Sequence, residues 1–133
     1  MSTSDPRKTE CDFDRWVAEE FAGLGPFTAL VVLLGIAETK VTPLCSTYFN
    51  IIGDELDWSD ITVLFAGSGA NWNGAAFFPV TDAAGDGSLD NPTARLKLRE
   101  LEARINDDRL VLNEGHFFDA WGRRMQIEEI ELQ

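Results

Sequence analysis

Apolar positions repeat at helical spacing near the N-terminus and again after residue 91, and run almost without interruption through stretches between them. Phe13, Val17, Phe21 and Leu24 lie on one helical face, and Gly23, Gly25 and Pro26 close that helix. The next run, Phe27–Ala37, is apolar throughout and leucine-rich. Periodicity alone leaves it open between a buried helix and a buried strand; Pro26 at the first position favours the helix. Thr42-Pro43 offers a fresh helix start, followed by a stripe of Leu44, Tyr48, Ile51, Ile52 and Leu56 that ends near Asp57.

From Ile61 to Val80 the pattern reads as strand, glycine-rich turn and strand. Ile61, Val63 and Phe65 alternate with Thr62, Leu64 and Ala66, so neither side of the first strand is polar. Gly67 to Gly74 forms the turn, Ala75 to Phe78 the second strand, and Pro79 limits that strand to an edge or an early end. Asn91 as cap and Pro92 as first helical residue open a helix with Ala94, Leu98, Leu101 and Ile105 on one face. Leu96 and Ala103 make a second, smaller apolar face, a feature that suits self-association.

The C-terminal third reads as a three-stranded meander. Leu110 to Leu112 turns through Asn113-Glu114-Gly115 into His116 to Trp121, and Gly122-Arg123 turns it back into 124–132. That register places Leu110, Leu112, Phe118, Ala120, Met125 and Ile127 on one core face. Phe117, Trp121 and Arg124 share the other face, with Trp121 opposite Arg124. The expected fold is therefore α+β: N-terminal helices packed on an antiparallel sheet of about five strands, formed by a central hairpin, one helix and the C-terminal meander. The 133 residues suit a single domain, 1–133, with residues 1–9 as a polar tail.

Composition narrows the function classes. Hydrophobic content of 44% supports a globular core, and a net charge of −12 disfavours nucleic acid and anionic membrane surfaces as partners. Cys11 and Cys45 are far apart and lack metal-ligand spacing, and no secretory or spanning segment is evident. These features fit a cytoplasmic protein with reduced thiols.

Four groups carry the candidate chemistry. Ser68, Asn71, Trp72 and Asn73 lie in the 67–74 loop, where a tryptophan between two asparagines suits a flat or sugar-like ligand; the alternative is a core tryptophan among ordinary turn residues. His116, the lone histidine, falls beside Glu129 in the expected register. A carboxylate there would raise its pKa and suit it to acid–base work, against the alternative of a structural hydrogen bond. Phe117, Trp121 and Arg124 have the residue types of an interface hot spot, or of a face covered by helices. Small residues around Ser68 lack the following helix of a nucleophile elbow, and the glycines match no phosphate loop.

The segment Asp82–Thr93, DAAGDGSLDNPT, resembles the EF-hand type of calcium loop. Asp82, Asp86 and Asp90 stand at positions one, five and nine, and Gly87 at six. Ala84 and Thr93 replace two ligands of that pattern. Pro79 argues against an entering helix, which the similar dockerin loop also lacks, although dockerins carry two copies. The resemblance implies calcium as a candidate ligand; no other cofactor is indicated.

The sequence thus points first to a non-catalytic binding or protein-interaction module, with a homodimer among its assemblies. The alternative is a small enzyme or small-molecule-binding protein with a pocket between helices and sheet, lined by the 67–74 loop, His116 and Glu129. Calcium binding through residues 82–93 comes third.

Overall fold

The computed structural model describes residues 11–37, 40–52, 57–82 and 87–125. The elements run α1 (Asp12–Leu24), β1 (Phe27–Ala37), β2 (Lys40–Ile51), α2 (Trp58–Ala66), β3 (Gly74–Val80), α3 (Asn91–Asp107), a 3-10 helix (Arg109–Glu114) and β4 (His116–Asp119). The fold is α+β. Among the described residues the sheet has four strands in the order β2-β1-β3-β4, and every pairing is antiparallel.

Three expectations are corrected. Phe27–Ala37 is a strand, the longer of the two interior ones, and 40–51 is its antiparallel neighbour, so the second and third expected helices form a β-hairpin. Residues 58–66 are helical, so the expected hairpin across 61–80 is a helix joined to a strand. The cause lies at Asp57, whose carboxylate accepts from the Asp60 amide while Asp60 accepts from the Asp57 amide. That reciprocal cap starts a helix with Trp58, Ile61 and Phe65 inward and Val63 and Leu64 exposed. The apolar alternation of 61–66 carried no such start signal.

The C-terminal register also differs. Leu110 and Leu112 belong to the 3-10 helix, and Phe118 bridges Arg124 rather than Ile127. Gly122 closes a loop of three residues, Ala120–Gly122, between the hydrogen-bonded Asp119 and Arg123. Residues 126–132, the expected return strand, lie outside the described residues. α3 is capped by the Asp90 carboxylate, one residue before the expected Asn91.

β1 has no polar face, so the sheet is covered on both sides. Phe27, Ala29, Val31 and Leu33 pack with Ala75, Phe77 and Phe118 beneath α1 and α2, through Phe13, Trp16, Val17, Trp58, Ile61 and Phe65. Leu30, Val32 and Leu34 pack with Ala76, Phe78 and Phe117 beneath α3 and the 3-10 helix, through Leu101, Ile105 and Leu112. The buried polar side chain of β1, Thr28, donates to Asn50 Oδ1 at 2.8 Å and accepts from the Leu89 amide at 2.8 Å. It thereby fixes the entry to α3 against the sheet.

Two proline positions follow from backbone direction. The Leu34 carbonyl and both backbone groups of Ile36 point toward the β3 side, where Asn73 bonds them. Direction alternates along a strand, so the groups of Leu33, Val31 and Ala29 point toward β2. Pro79 faces Ala29 across the sheet, so its nitrogen points to the β4 side, beyond the end of β4 at His116. Its missing donor is not needed there. Pro43 lies on edge strand β2, at the register shift that leaves Leu44 unpaired.

The turn after β4 is clamped by both helices of one layer. Phe13 donates its amide to the Gly122 carbonyl at 2.9 Å, and Trp58 Nε1 donates to the Ala120 carbonyl at 3.1 Å. The Arg124 amide donates to Asp12 at 2.8 Å. Gly122 has φ of +77°, and a Cβ there would stand 2.7 Å from Cys11 Sγ and 2.8 Å from the Trp58 ring. Gly122→Ala should therefore cost about 2 kcal/mol or more in urea denaturation. Gly23, in the last turn of α1, has open space around it. Gly23→Ala should raise stability by about 0.5–1 kcal/mol in the same measurement.

Candidate functional site

The 67–74 loop is held mainly by hydrogen bonds to the end of α2 and to β1. Ser68 Oγ donates to the Phe65 carbonyl at 2.6 Å and accepts from the Ala70 amide at 3.1 Å, ending α2. Asn73 accepts from the Ile36 amide at 2.8 Å and donates to the Ile36 carbonyl at 2.9 Å, so its side chain extends the β1–β3 ladder. Trp72 is half-buried and packs edge-on to Phe65 and Trp58, with ring centroids 5.1 and 6.1 Å apart. Asn71 is exposed.

His116 lies on β4, on the opposite side of the sheet from edge strand β2. Its ring rests on Trp16 with centroids 5.0 Å apart, and Arg124 Nη1 is 3.3 Å from Nδ1. An arginine can only donate, so this contact is a hydrogen bond in the tautomer that leaves Nδ1 without a proton. Burial, then the Arg124 charge, push the His116 pKa below its ordinary value, against an opposing pull from Glu20. Glu129, the expected carboxylate partner, lies outside the described residues.

The aromatic and arginine group is divided between core and surface. Phe117 is buried beneath α3, whereas Trp121 is 69% exposed. The guanidinium over Trp121 is that of Arg123, at 5.1 Å, while Arg124 lies over Phe118 at the same distance. The three-residue loop accounts for this exchange, since it shifts each arginine relative to the register read from sequence.

In the 82–93 segment, the Asp82 amide donates to the Gly87 carbonyl at 2.8 Å. The Asp90 carboxylate caps α3 at Thr93, and those bonds lower its pKa. Asp86 lies outside the described residues. Among the described residues no group of three or more His, Cys, Asp or Glu is placed to hold a metal ion.

Grooves open at three places on the surface of the described residues. The first, about 500 Å³, has a floor of Leu30, Phe78, Val80 and Leu101. Its rim carries two ion pairs, Arg104–Glu114 with bonds of 2.9 and 3.0 Å and Lys97–Glu100 at 3.7 Å. The second, about 480 Å³, runs between β2 and α2 along Leu33, Thr47, Phe49, Leu64 and Phe65. The third, about 250 Å³, lies on the other face of β2 beside Pro43, Leu44, Glu102 and Ile105. Two of the three therefore flank one edge strand, on opposite faces of the sheet.

That edge is a feature the sequence reading missed, because 42–57 was read as a helix. Cys45, Thr47 and Phe49 pair with Leu33, Val31 and Ala29, whose backbone groups point toward β2. By alternation, the N–H and C=O groups of Ser46, Tyr48 and Asn50 point outward. Their side chains are drawn away from the edge: Ser46 Oγ donates to Glu102, Tyr48 Oη to Asn91 at 3.2 Å, and Asn50 accepts from Thr28. Among the described residues no strand lies beyond β2.

In comparisons with known proteins, the chain matches no family model, no curated protein and no solved structure. Among the described residues no helix is long and apolar enough to cross a membrane.

His116 is the single histidine, so its titration is directly readable. NMR titration should give an imidazole pKa below the ordinary 6.5. A base whose folded pKa is depressed contributes stability that is present above its unfolded pKa and lost as pH falls through the folded one. His116→Gln should flatten the decline of stability between neutral pH and the region below that pKa, as measured by urea denaturation at each pH.

Proposed function

We propose that this chain is a non-catalytic interaction module that takes up an extended protein segment along the free edge of β2. The carrying observation is the row of outward backbone groups at Ser46, Tyr48 and Asn50, with their side chains held back and a groove on either face. Strand addition supplies affinity through main-chain hydrogen bonds, and pockets for alternate side chains supply selectivity. Natural edge strands are ordinarily guarded by charge, proline or a bulge. Here Lys40, Pro43 and the register shift guard only the first half of β2, and Cys45–Ile51 carries no charge and no proline.

Peptides selected from a random extended library should shift the amide resonances of Ser46, Tyr48 and Asn50. Binding should fall at least about tenfold in Ser46→Pro, which removes an outward donor and no bond to β1. Selected peptides that bind elsewhere would refute this reading.

The first groove supports a second reading, a small-molecule site with an apolar floor and a rim of paired charges. A metabolite that raises the melting temperature of the protein, but not of Arg104→Ala, would favour it. A panel without any such shift would count against it. His116 and the 67–74 loop do not meet in that groove.

A further inference from the structure

Resting on the strand-addition reading, we propose that the segment taken up by the β2 edge is the same segment of a second copy, giving a two-fold dimer in which the four described strands of each copy join in one continuous sheet.

The outward residues Ser46, Tyr48 and Asn50 are evenly spaced about Tyr48. A two-fold axis there pairs Tyr48 with itself and Ser46 with Asn50 of the other copy, and each such pair exchanges two backbone hydrogen bonds. In the pairing this creates, Ser46 stands opposite Asn50, Tyr48 opposite itself and Thr47 opposite Phe49, with the Ser46, Tyr48 and Asn50 side chains still bonded within their own copy. No other register about this centre is needed to satisfy the edge.

Charge favours the same place. The chain carries −12, so most approaches between two copies bring like charges together. From Val41 to Ile52 the sequence has no acidic or basic side chain. The carboxylate beside the strand, Glu102, is already engaged by Ser46. The twelve-residue β2 therefore offers a second acidic copy an approach without opposed carboxylates on the strand itself.

Geometry supplies the apolar part. A two-fold axis perpendicular to the sheet keeps like faces together, so the α2 of each copy lies on the same side of the joined sheet. Leu64, on the α2 wall of the groove beside Thr47 and Phe49, is 58% exposed, and Val63 next to it is 72% exposed. In the dimer this wall faces its own counterpart across the joined edges.

The interface differs from the one expected at the second face of α3, where Leu96 is also exposed. Sedimentation equilibrium of the intact chain over a wide concentration range decides between them. We expect a monomer–dimer equilibrium reaching twice the 14.8 kDa chain mass. Ser46→Pro should raise the dissociation constant at least about tenfold, because the axis removes its hydrogen bond twice. Thr47→Glu should do the same by adding a charge on each side, and Leu96→Ala should leave it unchanged. Both edge variants should retain the far-UV spectrum of the parent.

Register is tested separately. In a Cys11→Ser, Cys45→Ser background, Tyr48→Cys should oxidise to a covalent dimer, since a hydrogen-bonded pair sets Cα atoms about 5.5 Å apart, within disulfide reach. Asn50→Cys, whose counterpart is Ser46, should not. A chain that stays monomeric at every concentration overturns the proposal, as does a dimer indifferent to Ser46→Pro and Thr47→Glu. A monomer that still binds extended peptides at the edge leaves strand addition standing; a monomer whose edge binds none removes both.

Discussion

An interior strand without a polar side imposes the architecture. β1 is buried from Phe27 to Leu34, and its alternate residues enter two different cores. A single covering layer would leave one of those rows in water, at roughly 1.5–3 kcal/mol for each large apolar side chain. The helices are accordingly divided, α1 and α2 to one face and α3 with the 3-10 helix to the other. The buried hydroxyl of Thr28 is doubly bonded, which is the condition for a polar group at that depth.

The two layers are joined to the sheet differently. Beneath α1 and α2 the contact is a cluster of rings, with Phe13 at 4.9 Å from both Trp58 and Phe77 and at 5.3 Å from Phe118. Tilted and edge-on geometry prevails, as ring quadrupoles favour. The hydrogen bonds that the Phe13 amide, the Trp58 indole and the Asp12 carboxylate make to the backbone of the 120–124 turn add direction to that packing. Beneath α3 the contact is aliphatic, through Leu101, Ile105 and Leu112. That layer leaves the rim of ion pairs and the wider groove exposed.

Among the described residues β2 is last in the sheet, and that position leaves its outer backbone groups without a strand partner. A groove lies on either face of these outward groups, one beside α2 and one beside α3. His116, at the opposite side, lies against Trp16 and Arg124, and burial and that charge lower its pKa. An imidazole against an indole and beside a cation is a different environment from the carboxylate pair that the expected register suggested.

By itself the sequence determined α1, α3 and the apolar character of 27–37 and 75–78. Helical spacing or sustained burial is written into those stretches, and local caps agree with it. The Asp57–Asp60 cap that starts α2 was not read from the sequence, where the alternating apolar run of 61–66 indicated a strand. Only tertiary structure decided that 27–37 and 40–51 are strands, because an apolar run is buried equally well as either form until a neighbour accepts its backbone hydrogen bonds. The same holds for the site. Which amides of β2 face outward depends on which residues of β1 they pair with, and that parity exists only between strands.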